Sequence, residues 1–580
     1  MVEKVEPTLQ RFSMSLDQRL QELSASEIRS ALLTHAQALP SDQRDRFLEI
    51  FTNPSPARHD EKAPDTTWPV GDDPLLHDID AFVGRVASGK YFEGLGWDEE
   101  IHDQRSFGDE SWASEMDDLF GGAQDAFLAG ELGLSRAAYQ RLLEAFGLDQ
   151  EVGTFCGPDA AVEMVETDIA EAESRYLRAV YETTPLPERA ASLAEEWFGL
   201  PTWASVPSLA MVRETRRQDL PDLEAFLPEW ITQLRSIGGQ RPQARRLLAE
   251  ATELYGGADG LAMLARGSAT NQAESYLDWV AALRRVGQGP DAAAAAREAL
   301  QTLDPYGETR ARIAEHLAES MTGDAGEILA ARRAAWRAAP TQERLLRLHH
   351  AATVTGQVPQ AMAAEAEALE TAEGPDRANG WLHAALFLLA GRFDDAVRLL
   401  DSPPDGNPRR GASRVLVPYL LAAGCAGPTR PDWTSTRVGR LLRSVDHAES
   451  WNWTDVDRPD PNDRTGDVTR PLSELLTEQL AAAADDPALR LQCLETALSE
   501  VDHQVNTVVS GQFRGGYTEV ARLVACCAEA VTLEEGAEVG TSLVVQRRDR
   551  YPRHAAFRRE LDAAVRRTPL VTAPPTKGRR

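Results

Sequence analysis

Short segments of helix-forming residues, separated by frequent helix breakers, constrain what this chain can fold into. From Leu75 onward Ala, Leu, Glu and Arg dominate, and these residues have high helix propensity. Breakers follow at short intervals, among them Gly256-Gly257, Gly287 to Pro290, Pro340, Gly374-Pro375 and Pro403-Pro404. Runs with the strict alternation typical of strands are scarce. The pattern predicts helices of roughly 10 to 18 residues joined by turns, and therefore an all-α fold.

Composition excludes several classes of protein. The 580 residues include 91 acidic and 61 basic side chains, for a net charge of −30, which disfavours binding of the whole chain to nucleic acid or anionic lipid. Neither a long apolar run nor an apolar N-terminal segment is present, so we expect no membrane span and no secretory signal. The five cysteines are scattered, which predicts a reduced, cytoplasmic protein; the alternative is an exported protein whose signal has been removed.

Two segments have the pattern of a helical hairpin. Residues 276–305 begin with Tyr276 and Trp279, turn at Gly287, continue with alanines and end at Pro305. Residues 377–400 repeat the order with Trp381, Gly391 and Ala396. Both resemble the tetratricopeptide repeat, although no constant 34-residue period is evident. The resemblance implies antiparallel helix hairpins stacked as a tetratricopeptide-like α-solenoid, and the alternative is a generic antiparallel helix stack.

Changes in composition divide the chain into seven predicted parts. They are a small N-terminal helical hairpin (1–51), a Pro-rich linker (52–73), a helical domain (74–250), tetratricopeptide-like repeats (251–444), an acidic loop (445–471), a C-terminal helical segment (472–567) and a disordered tail (568–580).

A second resemblance covers residues 275–567. The phrases Arg514-Gly515-Gly516-Tyr517 and Tyr551-Pro552-Arg553-His554, with Trp336 and Pro340 upstream, resemble the helical C-terminal region of bacterial SWIM zinc-finger proteins. The finger itself requires a Cys-x-Cys pair, which this sequence lacks. The zinc and the nucleic-acid association of such fingers therefore do not carry over.

One motif matches a nucleotide-binding loop in part. Residues Gly84 to Lys90 fit the first seven positions of a P-loop, but Tyr91 stands where the Mg²⁺-binding Ser or Thr belongs. The preceding residues have helical rather than strand spacing. We therefore predict a helix C-terminus capped by Gly89.

Other catalytic and metal-binding patterns are equally lacking in the sequence. It contains no Cys-x₂-Cys, no His-Glu-x-x-His and no Gly-x-Ser-x-Gly. His349 and His350 are neighbours on a predicted helix, so one is expected to pack and the other to face solvent. We predict no catalytic residue, no cofactor and no metal.

Acidic residues cluster in the first half of the chain. Residues 93–120 hold ten acids and a single base, Arg105, with Trp97, Phe107 and Trp112 interleaved. Exposed aromatics among carboxylates are suited to a basic partner peptide, so these three are candidate partner-binding residues. The alternative is a solvated acidic loop whose aromatics pack back onto the body.

Basic residues cluster at the other end. Residues 547–580 hold eleven bases and three acids. The candidate binding residues of this segment are Arg547, Arg548, Arg550, Arg553, Arg558 and Arg559. They are suited to nucleic acid or an acidic partner; the alternative is that they complement the acidic remainder of the chain. Tyr551 and Phe557 fit helical packing rather than base stacking.

These patterns favour a non-enzymatic scaffold or adaptor that binds another protein, through a basic segment of the partner, on a helical-repeat surface. The alternative is a nucleic-acid-associated accessory protein that uses the Arg-rich C-terminal helix. No membrane association is expected, and the sequence leaves the oligomeric state open.

Overall fold

The computed structural model describes residues 73–99, 103–152, 155–157, 160–200, 207–237, 241–268, 271–371, 380–400, 411–427, 435–447, 470–481, 485–568 and 570–571. The chain divides into two compact units, Met1–His77 and Asp78–Arg580. The predicted N-terminal hairpin (1–51) and residues 52–72 of the predicted linker lie outside the described residues.

The predicted all-α fold is confirmed, and a single β-hairpin is added to it within the described residues. The N-terminal elements are α1 (Pro74–Ala87), β1 (Phe92–Asp98), β2 (Asp103–Gly108), α2 (Trp112–Ala129), α3 (Leu132–Val152), α4 (Ala161–Met164), α5 (Ile169–Thr183), α6 (Leu186–Gly199), α7 (Leu209–Glu214) and α8 (Leu223–Ile237). The central elements are α9 (Pro242–Gly267), α10 (Gln272–Arg285), α11 (Gly289–Thr302), α12 (Glu308–Ser320), α13 (Ala325–Ala338), α14 (Gln342–Val354), α15 (Val358–Thr371), α16 (Gly380–Leu389) and α17 (Phe393–Arg398).

The C-terminal elements pack around one long central helix. They are α18 (Ser413–Cys425), α19 (Arg437–Arg443), a 3₁₀ turn (Ser444–His447), α20 (Leu472–Gln479), α21 (Pro487–Ser510), a second 3₁₀ turn (Arg514–Gly516), α22 (Tyr517–Glu535), α23 (Ala537–Arg550) and α24 (Ala555–Arg566). Helix α22 contacts α18, α19, α21, α23 and α24. Thr568 and Val571, at the start of the predicted tail, are buried, whereas residues 572–580 lie outside the described residues.

Glycine turns recur through the central helices at nearly constant spacing. Gly287, Gly323, Gly356 and Gly391 each have positive φ and each separates the two helices of a pair, at intervals of 36, 33 and 35 residues. At the first turn the N–H of Gly287 donates to the Arg284 carbonyl at 2.9 Å, and the turn at Gly356 has the same geometry. The helix pairs expected at 276–305 and 377–400 are therefore part of a longer series of pairs whose turns are 33 to 36 residues apart.

Consecutive pairs stack on one another. Helix α10 contacts both its own partner α11 and the first helix of the next pair, α12. The small residues expected at the contacts are there: Ala292, Ala296 and Ala299 are fully buried. Small side chains allow the helix axes to approach closely, so each pair buries its apolar face against its neighbours.

Arginine–carboxylate pairs join equivalent helices of successive pairs. Arg266 forms two 2.8 Å hydrogen bonds with Glu298, and Arg344 contacts Glu308 at 2.6 Å and 2.8 Å. These partners are 32 and 36 residues apart, one repeat along the chain. A partly exposed pair such as Arg266–Glu298 contributes only about 0.2–1 kcal/mol, whereas the Arg344 side chain is buried. Both pairs favour one register of stacking.

The segment that partly matches a P-loop is a helix end. Gly89 has a φ of 71°, its N–H donates to the Val86 carbonyl at 2.9 Å, and the Lys90 N–H donates to the Arg85 carbonyl at 3.1 Å. These two bonds form a Schellman cap, as predicted for Gly89. Tyr91 is buried and its hydroxyl donates to Glu115 at 2.8 Å.

No helix in the described part of the chain is both long enough and apolar enough to span a bilayer.

Candidate partner-binding site

The acidic stretch contains an antiparallel β-hairpin rather than a loop. In its register Leu95 lies opposite Ser106, Gly96 opposite Arg105 and Trp97 opposite Gln104. Side chains alternate between the two faces of a strand, so Leu95 and Trp97 share a face. Phe107 is three residues from Gln104 and projects from the other face. The structure therefore separates Trp97 from Phe107.

Leu95 and Trp97 form the exposed face of the hairpin. Leu95 is 74% exposed and Trp97 is 61% exposed. Glu93 precedes them on β1 and Glu99 follows them, both exposed. Two large apolar side chains are thus presented to solvent together, with carboxylates at each end.

The opposite face is covered by its own side chains. A Cβ added at Gly96 would lie 2.9 Å from the Phe107 ring, which shows how closely that ring covers the strand. The Arg105 guanidinium lies 4.9 Å from the centroid of the same ring and also contacts the carboxylates of Asp98 and Glu110. The side chain of Arg105, the only Lys or Arg in the acidic stretch, therefore interacts with Phe107, Asp98 and Glu110.

The hairpin is attached to the helical body through Ser106. Its backbone forms a β-bridge with Gly157, whose N–H donates to the Ser106 carbonyl at 3.1 Å. The Ser106 hydroxyl donates to the Gly157 carbonyl at 3.2 Å. A hairpin tied in this way presents its outer face with little loss of conformational entropy on binding.

Trp112 helps to attach the hairpin to the helical body and does not lie on the exposed face. The prediction that it contacts a partner is therefore corrected. It is fully buried at the start of α2. Its indole N–H donates to the Cys156 carbonyl at 2.8 Å, and its ring centroid is 4.4 Å from that of Phe155. The sequence conceals this role because Cys156 is 44 residues away.

We expect Trp112→Phe to loosen the hairpin. The variant keeps most of the apolar contact but removes the N–H donor, leaving a buried carbonyl unpaired at a cost of about 1–3 kcal/mol. Hydrogen exchange measured by mass spectrometry should become faster across residues 92–108. The control Trp97→Phe changes an exposed ring and should leave exchange unchanged; unchanged protection in Trp112→Phe would contradict the anchoring role.

Acidic side chains surround the exposed face. Glu93, Glu99 and Asp109 are all exposed. The Ser111 N–H donates to Asp109 at 3.0 Å, and this hydrogen bond lowers the pKa of that carboxyl below its ordinary value.

The six arginines proposed near the C-terminus fall into two groups. Arg547 donates two hydrogen bonds to Asp502, at 2.9 Å and 2.7 Å, and Arg548 pairs with Asp562 at 3.2 Å. These two match the alternative in which the basic segment complements acidic residues of the chain. Three others, Arg550, Arg553 and Arg559, are exposed. Arg558 is half-buried and donates to the Pro552 carbonyl at 3.2 Å.

Leu95 was not identified from the sequence. The sequence nevertheless contains a signal: Leu95 and Trp97 alternate with Gly94 and Gly96, and this period-two spacing is typical of a strand.

Within the described residues no cluster of three or more His, Cys, Asp or Glu is arranged to hold a metal ion. All five cysteines are buried, and burial raises the pKa of Cys156.

Fold and site together describe a stacked α-helical protein with an outward-facing β-hairpin. Comparison with protein-family models and with curated proteins finds no match for the chain.

Proposed function

We propose that this protein is a non-enzymatic scaffold that binds a basic segment of a partner protein on the exposed face of the β1–β2 hairpin. The observation that carries the proposal is the joint exposure of Leu95 and Trp97 on a hairpin anchored through Ser106 and Trp112. The stacked helices supply the rigid support.

The chemistry of this face suits a segment that combines basic and apolar side chains. Covering an indole and a leucine removes apolar surface from water, which stabilises the complex by about 25 cal/mol per Å². A Lys or Arg of the partner gains further by lying over the indole ring, and the nearby carboxylates attract it. Tryptophan is also among the residues that most often dominate the binding energy of an interface.

Site-specific photo-crosslinking tests the proposal. A benzoylphenylalanine placed at position 95 in the full chain, expressed in its native host, should crosslink to a partner through a segment rich in Lys and Arg. The matched control carries the same group at Tyr306, which is 71% exposed in the helical-repeat region and should not capture that partner.

The captured protein then allows a quantitative test. With the purified partner, Trp97→Ala should weaken binding at least tenfold, the range of a moderate hot spot, whereas Tyr306→Ala should bind as the wild type does. Equal binding by both variants, or no capture at position 95, would exclude the hairpin as the docking face, and a crosslinked segment that is acidic would exclude a basic partner segment.

A second candidate function, association with nucleic acid, is favoured by the exposure of Arg550, Arg553 and Arg559. It uses a different surface from the hairpin.

A further inference from the structure

Two connections meet at one end of the C-terminal helices. The turn between α21 and α22 spans residues 511–516, and the turn between α23 and α24 spans residues 551–554. Rings beside these turns are in contact: the centroid of Phe557 lies 6.0 Å from that of Tyr517 and 5.6 Å from that of Tyr551. Segments about 40 residues apart thus form one surface.

This surface is strongly basic within an acidic protein. Residues 511–516 and 550–559 together contain five arginines and His554, and neither segment contains Asp or Glu. Arg514, Arg550, Arg553 and Arg559 are exposed. The whole chain carries a net charge of −30, so the concentration of positive charge at this end is local.

Carboxylates adjoin the surface, and two of them have partners. Glu560 accepts a hydrogen bond from the Thr518 hydroxyl at 3.2 Å, and Asp562 pairs with Arg548 at 3.2 Å. Asp549 is exposed beside Arg550. The positive charge therefore remains in excess.

An exposed aromatic ring stands in the same surface. Phe513 is 64% exposed, unlike Tyr551 and Phe557, which are buried as expected. Its turn is fixed, because the Phe513 N–H donates to the Val508 carbonyl at 3.0 Å, and its ring lies against Gly511, where a Cβ would be 2.5 Å away. The ring is thus held in place with much of its surface in water.

We propose that this end of the C-terminal helices, comprising Phe513, Arg514, Arg550, Arg553 and Arg559, binds single-stranded nucleic acid. A fixed, exposed ring stacks on a base, and the surrounding guanidinium groups bind the phosphates. Stacking requires a base that is not already paired in a duplex, which favours a single strand. The surface is separate from the hairpin and does not depend on the function proposed for it.

Fluorescence anisotropy with a labelled 20-mer of deoxythymidine tests the proposal on the full chain. We expect the wild type to bind at 50 mM salt and to weaken steeply by 200 mM. Phe513→Ala should weaken binding at least fivefold, the lower end of what one base–aromatic stack contributes. The double variant Arg514→Ala/Arg553→Ala should reduce the slope of log affinity against log salt by about 1.4, since each single-strand phosphate contact contributes about 0.7.

Two matched controls lie elsewhere in the chain. Tyr306→Ala removes another exposed ring, and Arg566→Ala removes an exposed arginine at the last residue of α24, about 16 Å from the start of that helix at 1.5 Å per residue. Both should bind as the wild type does. Absence of binding at 50 mM salt would overturn the proposal. So would full binding by Phe513→Ala, or equal affinity for heparin or polyglutamate, which would indicate a surface for polyanions or acidic proteins.

Discussion

Replacing Glu173 by glutamine should stabilise the protein strongly at pH 8 and only slightly at pH 5. Glu173 lies on α5 and is 4% exposed. Burial, and to a smaller extent the negative charge of Asp168, raises the pKa of this carboxyl from an ordinary 4.5 to about 8. Glutamine has nearly the same shape and never ionises.

The direction of the effect follows from proton binding. Between pH 4.5 and pH 8 the folded protein holds a proton on Glu173 that the unfolded chain has released. The contribution of Glu173 to the free energy of unfolding of the wild type therefore falls as the pH rises through this window, and this contribution is largest below pH 4.5. The gap in stability between the variant and the wild type should grow by on the order of 3 kcal/mol between pH 5 and pH 8.

Urea-induced unfolding at pH 5, 6.5 and 8 measures this gap. Glu195→Gln, at an exposed position on α6, is the matched control and should follow the wild type at every pH. If the curves for Glu173→Gln and the wild type run parallel, Glu173 is solvated or ion-paired in solution and the interpretation of its burial is wrong.

Gly540→Ala should destabilise the C-terminal helices, although alanine is the better helix former. A Cβ at this position would lie 2.6 Å from the Ala528 carbonyl oxygen and 2.0 Å from the Thr532 hydroxyl, both on α22. The carbonyl belongs to the backbone of the central helix, so α22 and α23 must move apart. Overpacking of this kind costs about 1–3 kcal/mol or more, against a gain of about 1 kcal/mol from helix propensity.

The matched control is Gly121→Ala on α2, where an added Cβ meets no atom within 4 Å. It should stabilise the protein by about 0.5–1 kcal/mol, since only helix propensity acts there. Thermal and urea unfolding of both variants should therefore shift in opposite directions. A stabilising Gly540→Ala would mean that α22 and α23 are farther apart than the structure places them.

Features set by a few neighbouring residues were predictable. The helix end at Gly89 depends on one left-handed residue and two hydrogen bonds within six residues. His349 is 9% exposed and His350 is exposed, as expected for neighbours on a helix. No constant period is evident in the sequence because the intervals between the glycine turns vary from 33 to 36 residues.

The candidate site shows where local reasoning fails. Trp97, Phe107 and Trp112 are close in sequence, yet Trp97 and Phe107 are exposed on opposite faces of the hairpin and Trp112 is buried. Strand alternation separates the first two, and a hydrogen bond to the distant Cys156 removes the third. Arg547 was likewise proposed as a binding residue, but Asp502 on another helix pairs with it.

The α-helical fold class, many of the helix ends and the concentration of acidic and basic residues can be read from the sequence, because propensity, capping and charge act within a few residues. Which side chains reach solvent together depends instead on contacts between separate segments of the chain. Strand pairing gives Leu95 and Trp97 a common exposed face, and ring contacts between helices bring the turn that carries Phe513 to the same end of the helices as the turn that carries Arg553.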